Sequence, residues 1–147
     1  AYPDHKPNDL LDVDLTFRPM AMEQARLKEA QHGAPVYMYL FTWQSPAMNG
    51  IWRSIHCMEI PFVFDNTALQ GGMTGNGPQA RALAQTMSQA WINFAKTGKP
   101  TAGGLPAWEA YTAANGATLL FDNTCKMRYN HDAKLVKIAR QCPQKPL

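Results

Sequence analysis

The residues of this chain whose types and spacing could do chemistry gather around a single histidine. His56 lies in Ile55-His56-Cys57-Met58-Glu59-Ile60-Pro61-Phe62-Val63-Phe64, an apolar run rather than a polar surface loop. Imidazole titrates near neutrality, so a positioned histidine serves first as general base and then as general acid. Taken alone, a histidine in such a run reads as a partly buried structural residue. Glu59 adds a carboxylate three residues on, between Met58 and Ile60, where burial is expected. A buried carboxylate must be hydrogen-bonded or protonated, and such groups collect at functional sites as well as in structural networks. The His-x-x-Glu spacing also occurs in metal sites. One such pair without further ligands predicts no metal, and no Cys/His cluster has zinc spacing. Gly71, Gly72, Gly75, Asn76 and Gly77 form a glycine-rich stretch, but its spacing fits neither phosphate-binding fingerprint. It is read as a flexible loop.

The elements that must position His56 follow an α/β order. A helix is expected from near Leu15, capped by Asp14. Phe17, Met20, Ala21, Gln24, Ala25 and Lys28 share one face, and Gly33 serves as left-handed C-cap. Val36 to Trp43 is β-branched and aromatic without a charge, which predicts a strand buried on both faces. A loop over 44–54 follows, and Ile60 to Phe64, short and containing a proline, reads as a buried extended turn. The strongest helix runs from Gln79 to Lys96, with Pro78 at its start and Gly98 past its end. Its predicted core stripe is Leu83, Met87, Ala90, Trp91, Phe94 and Ala95. Pro106 to Trp108 falls in a loop, Thr118–Phe121 and Lys126–Tyr129 are short strands, and Ala133–Arg140 is a last helix. One long strand cannot make a sheet by itself, so the pattern reads as the closing section of a larger sheet.

Several motifs together resemble the type-B carboxylesterases, the family that includes the cholinesterases and the bacterial para-nitrobenzyl esterases. Ser54 to Phe64 is similar to the family's histidine motif: a small residue, His, two variable residues, Glu, an aliphatic residue, Pro, an aromatic, Val and Phe. Asp14-Leu15-Thr16-Phe17-Arg18-Pro19, Pro35 to Phe41, Ala90 to Pro100 and Leu105 to Tyr111 resemble other family segments, in family order. The resemblance implies that residues 1–147 are the C-terminal segment of a single α/β-hydrolase domain, with an incomplete sheet lacking the nucleophile-bearing half. It implies a serine-type carboxylic ester hydrolase in which His56 is the triad base and acid. Glu59 would be a supporting buried acid, and Met48, Trp52 and Cys57 would line the pocket. The chain departs from the family pattern in three respects. No G-x-S-x-G nucleophile elbow is present, since Ser45, Ser54 and Ser88 all lack the flanking glycines. Asp65 stands where the family often has glycine, and Cys57 where a small residue is common. The serine, the acid and the oxyanion loop would then lie upstream, in an N-terminal part of the same esterase that acts as this segment's partner. The segment alone is expected to be inactive and, with its sheet unfinished, to expose apolar surface. The substrate would be a small-molecule ester, with no cofactor. The other reading is a non-catalytic esterase-like module used in binding or adhesion.

Composition bounds the rest. With 46% hydrophobic and 17% charged residues, the chain reads as globular rather than disordered. A net charge of +3 without a clustered basic stripe argues against a nucleic-acid binder; Lys126, Arg128, Lys134, Lys137 and Arg140 read as a solvated face. No apolar stretch is long enough to span a membrane, and no signal peptide is visible. Of the three cysteines, Cys57 is expected to be a buried thiol. Cys125 and Cys142 flank the last helix and form either a disulfide or two reduced thiols. A bridge would favour a secreted or periplasmic setting.

Overall fold

The computed structural model describes residues 17–131, with 133, 134, 137 and 141. Helix α1 (Phe17–Glu29) comes first, then strand β1 (Met38–Phe41), a short 3-10 turn (Ala47–Gly50) and the single helical turn α2 (Ile60–Val63). A second 3-10 turn (Thr67–Gln70), the one-turn helix α3 (Gly71–Thr74), the long helix α4 (Pro78–Thr97) and strands β2 (Thr118–Phe121) and β3 (Lys126–Arg128) complete the order. The proposed Asp14 cap and most of the terminal 133–140 helix lie outside the described residues.

The three strands form one mixed sheet in the order β1-β2-β3. Strand β1 pairs parallel with β2, with Tyr39 opposite Leu119 and Phe41 opposite Phe121; β2 pairs antiparallel with β3. The middle strand is the buried one, with Leu119 and Phe121 sealed from solvent. The expected eight-residue strand shrinks to four residues, all half-buried; among the described residues β1 has a partner on one edge only.

Helix α4 covers the sheet and matches expectation closely. Pro78 opens it, where a missing N–H costs nothing, and Gly98 closes it at φ 74°. Leu83, Met87 and Ala90 are buried, and Trp91 is half-buried against Tyr39, Trp108 and Phe121 with ring centroids 5.1–6.2 Å apart. Phe94 stays 45% exposed and Ala95 is exposed, because the three-stranded sheet ends before reaching the last turn of the helix. The core is completed by Trp43, Met58 and Phe62.

Four local expectations are corrected. Ile60–Val63 is a helical turn rather than an extended segment, since Pro61 falls in the first turn, where its fixed φ fits a helix. Residues 71–77 are not a plain loop: Gly71–Thr74 is helical and Gly75 ends it at φ 66°. The left-handed residue after α1 is His32 (φ 51°) rather than Gly33. The α1 face expected in the core buries only Ala25, leaving Phe17 49% and Met20 58% exposed.

Candidate active site

The position of His56 is set by a loop that leaves β1 and returns to it. At the end of β1 the Thr42 and Trp43 N–H groups both donate to the Phe121 carbonyl, at 2.8 and 3.0 Å. The chain then swings out through Ala47–Gly50, where Met48, Asn49 and Gly50 are all left-handed. On the way back Ser45 N–H donates to the Arg53 carbonyl at 3.1 Å, and Ser54 Oγ donates to the Trp43 carbonyl at 2.5 Å. Buried Ser45 also donates through Oγ to the Met73 carbonyl, tying the loop base to α3. These bonds hold residues 53 and 54 beside the C-terminal end of a parallel strand. In open α/β sheets that is the end where ligands bind.

A tight turn follows directly. Met58 N–H donates to the Ile55 carbonyl at 3.0 Å, which places His56 and Cys57 at the two central positions. Cys57 has φ 68°, the conformation that such a turn asks of its third residue and that glycine adopts freely. Met58, fully buried, anchors the turn in the core. His56 and Cys57 are therefore exposed at the apex, contrary to the burial expected from the apolar run. The run alternates between core and surface: Met58, Pro61 and Phe62 face inward, whereas Ile55, Ile60 and Phe64 do not. Asp65 repeats the pattern at φ 50°. Both positions where the sequence departs from a small residue are thus left-handed, at a cost of about 1–2 kcal/mol for Cys57 and less for Asp65, whose short polar side chain tolerates the region better.

Phe17 at the start of α1 stacks on the His56 ring, with centroids 4.4 Å apart and planes 6° from parallel. Nothing in the sequence pointed to this contact; Phe17 read there as part of a core stripe. Glu59 is half-buried rather than buried. It precedes α2, and its carbonyl accepts the Phe62 and Val63 N–H groups at 2.9 and 3.0 Å. Among the described residues no hydrogen bond or ion pair joins Glu59 to His56. Glu59 instead lines a groove together with Tyr39, Val63, Ser88, Trp91 and Ile92. Burial, and secondarily the charge of Glu59, push the Tyr39 hydroxyl above the ordinary tyrosine range.

The three expected pocket residues do not act alike. Met48 is 66% exposed at the loop tip and Cys57 is exposed at the turn apex. Trp52 packs inward against the core, its indole N–H buried and without a hydrogen-bond partner among the described residues. Among the described residues Cys125 has no disulfide partner; it is half-buried, its Sγ donates to the Asp122 carbonyl at 3.5 Å, and burial raises its pKa. Cys142, and with it the expected Cys125–Cys142 bridge, lies outside the described residues. Among the described residues no three His, Cys, Asp or Glu side chains group closely enough to hold a metal, and no helix is long and apolar enough to cross a membrane.

The mixed sheet, the covering helix and the strand-end loop define a partial α/β-hydrolase fold. The chain superimposes on an esterase from anaerobic Clostridium hathewayi, described as hydrolysing aliphatic aromatic polyesters, with a TM-score of 0.82 and 36% identity. That match covers 97% of this chain and 28% of the esterase chain. A thermophilic PNB esterase matches with a TM-score of 0.64 at 29% identity, over 74% of this chain and 22% of the other. In sequence, residues 10–139 match the model of the carboxylesterase family. The chain is 35% identical over 117 residues to para-nitrobenzyl esterase of Bacillus subtilis (strain 168), covering 76% of this chain and 22% of that protein. It is 37% identical over 90 residues to phenmedipham hydrolase of Pseudarthrobacter oxydans, covering 58% of this chain and 18% of the relative. This chain belongs to the carboxylesterase family. It spans about a fifth of the length of these two curated relatives.

Proposed function

We propose that this chain is the C-terminal segment of a serine carboxylesterase domain and supplies its triad histidine, His56, while the serine, the acid and the oxyanion hole come from the part of the esterase upstream. The observation that carries the reading is the setting of His56. In a chain of this family, an exposed imidazole stands at the apex of a turn whose preceding residue, Ser54, is hydrogen-bonded to Trp43 just beyond the C-terminal end of parallel strand β1.

In this reading His56 takes the serine proton as Oγ attacks the ester carbonyl. It then gives that proton to the departing alcohol as the C–O bond breaks. Water, deprotonated by the same imidazole, releases the acyl group and regenerates the serine. No cofactor takes part. The buried Met58 and the Ser54 bond keep the turn from wandering, and the Phe17 ring restricts the imidazole to one plane. Glu59 is a supporting acid that acts through the base of the turn rather than on the imidazole directly. Met48 and Cys57, exposed on the same loop, would form an apolar wall for a carboxylic ester with an apolar portion, whereas Trp52 would brace the loop from beneath. The segment by itself would not turn over ester.

The test is His56→Ala in the whole protein that carries this chain, assayed on a nitrophenyl ester and with an organophosphate that labels activated serines. A fall in kcat of about 10⁴-fold or more with circular dichroism unchanged is expected. Turnover within about tenfold of the parent would remove His56 from the triad. An unmutated protein that is folded yet neither turns over nor labels would instead be a binding module.

A further inference from the structure

The sequence holds three Asn-Gly pairs, Asn49-Gly50, Asn76-Gly77 and Asn115-Gly116, and the fold treats them very differently. The Asn115 carboxamide is fully engaged. Its Oδ1 accepts the Thr112 and Ala117 N–H groups at 2.9 and 2.8 Å, and its Nδ2 donates to the Ala110 carbonyl at 3.1 Å. Gly116 behind it is buried. The Asn76 Oδ1 accepts the Thr67 hydroxyl at 2.9 Å, and its carbonyl accepts a guanidinium N–H of Arg81. Asn49 is exposed at the tip of the histidine-bearing loop, and its side chain makes no hydrogen bond among the described residues. It stands in a run of three left-handed residues, of which Met48, with neither glycine's freedom nor a short polar side chain, holds a strained backbone.

We propose that Asn49 is a site of spontaneous deamidation, selected by the fold from three chemically equivalent pairs. Glycine has no side chain to shield its backbone nitrogen, so Gly50 N attacks Asn49 Cγ. The N–Cγ bond forms as Gly50 N loses its proton, the Cγ–Nδ2 bond breaks, and ammonia departs to leave a five-membered succinimide. Water then adds to either ring carbonyl and opens the ring to aspartate or isoaspartate. Water is the sole co-reactant. Attack requires the carboxamide to turn toward the following nitrogen and the local backbone to rearrange. At Asn115 three hydrogen bonds must open first, and at Asn76 one or more. At Asn49 no side-chain hydrogen bond among the described residues opposes it, and the rearrangement relieves left-handed residues. The product places a carboxylate on a loop that had none between Gln44 and Met58, and the isoaspartyl form lengthens the backbone there.

The experiment ages the whole protein in mildly alkaline buffer and follows the three Asn-Gly peptides by mass spectrometry, beside a synthetic peptide of residues 45–53. The Asn49 peptide should convert at least about tenfold faster than those of Asn76 and Asn115, the factor expected for hydrogen bonds that must first break. Its rate should lie within about tenfold of the free peptide's, as for a segment that opens locally at little cost. Equal rates at the three sites, or an inert Asn49 beside a reactive free peptide, would overturn the proposal. The readout is mass alone, so the result does not depend on whether the protein hydrolyses esters.

Discussion

Replacing Trp43 by Phe separates the two interactions that join the root of the histidine loop to the core. Trp43 is 2% exposed, and its ring packs at 4.9 Å from Phe62 and 6.3 Å from Phe41. Its Nε1–H donates to Asn123 Oδ1 at 3.0 Å. Phenylalanine keeps an aromatic ring on Cβ but is smaller than the indole and has no N–H. At about 24 cal/mol per Å³, a void of roughly 40 Å³ costs about 1 kcal/mol, and losing the transfer energy of the missing atoms costs about as much again. The lost hydrogen bond adds about 0.5 kcal/mol, the low end of its range, because exposed Asn123 regains water. The sum is about 2.5 kcal/mol. Asn123→Ala leaves the packing intact and orphans a part-buried indole N–H, costing about 1 kcal/mol. The double variant should fall short of additivity by about 0.5–1 kcal/mol, since both single changes remove one bond. Guanidinium unfolding of the whole protein, followed by tryptophan fluorescence and circular dichroism, measures all three. If Trp43→Phe costs no more than Asn123→Ala, packing is not what chiefly holds the loop root. If the two add within about 0.3 kcal/mol, the hydrogen bond contributes nothing.

Thiol labelling of the native protein should modify exposed Cys57 at least about tenfold faster than Cys125, whose thiol is part-buried and raised in pKa by that burial; comparable rates would contradict the turn geometry. Gly116→Ala should destabilise by about 2–4 kcal/mol, because φ is 55° and an added Cβ would lie 2.9 Å from the Asn130 backbone nitrogen, read as a drop in melting temperature. Asp65→Gly, exposed at φ 50°, should instead stabilise by about 0.5–1 kcal/mol in the same assay. Tyr39 has a folded-state pKa raised above the unfolded value of 10.0, so its share of stability is intact below that pH and is lost as pH rises further. Tyr39→Phe should flatten the alkaline limb of the stability curve, and an unchanged limb would argue against burial of that hydroxyl.

The elements legible in the sequence were those whose signals are local. Helix α4 announced itself through Pro78, Gly98 and the spacing of Leu83, Met87 and Ala90, and strands β2 and β3 fell within a residue of expectation. His56 and Glu59 stood out because their types and separation carry meaning without a fold around them, and the ordered motifs were specific enough to point to the carboxylesterase family. Burial was misread wherever it depended on partners distant in sequence. The run from Ile55 to Phe64 is apolar throughout, yet it offers Met58 and Phe62 to the core and leaves His56, Ile60 and Phe64 outside. A run without alternation does not say which side chain a turn will turn inward. The stack of Phe17 on His56 spans 39 positions, and the groove that Tyr39 shares with Glu59 brings a strand and a turn together. Residue types and periodicity therefore determined the local elements, and the ordered motifs carried the resemblance to the family. Chain closure between positions far apart, through backbone bonds such as those from Trp43 to Phe121 and from Ser45 to Arg53, decided where the histidine stands.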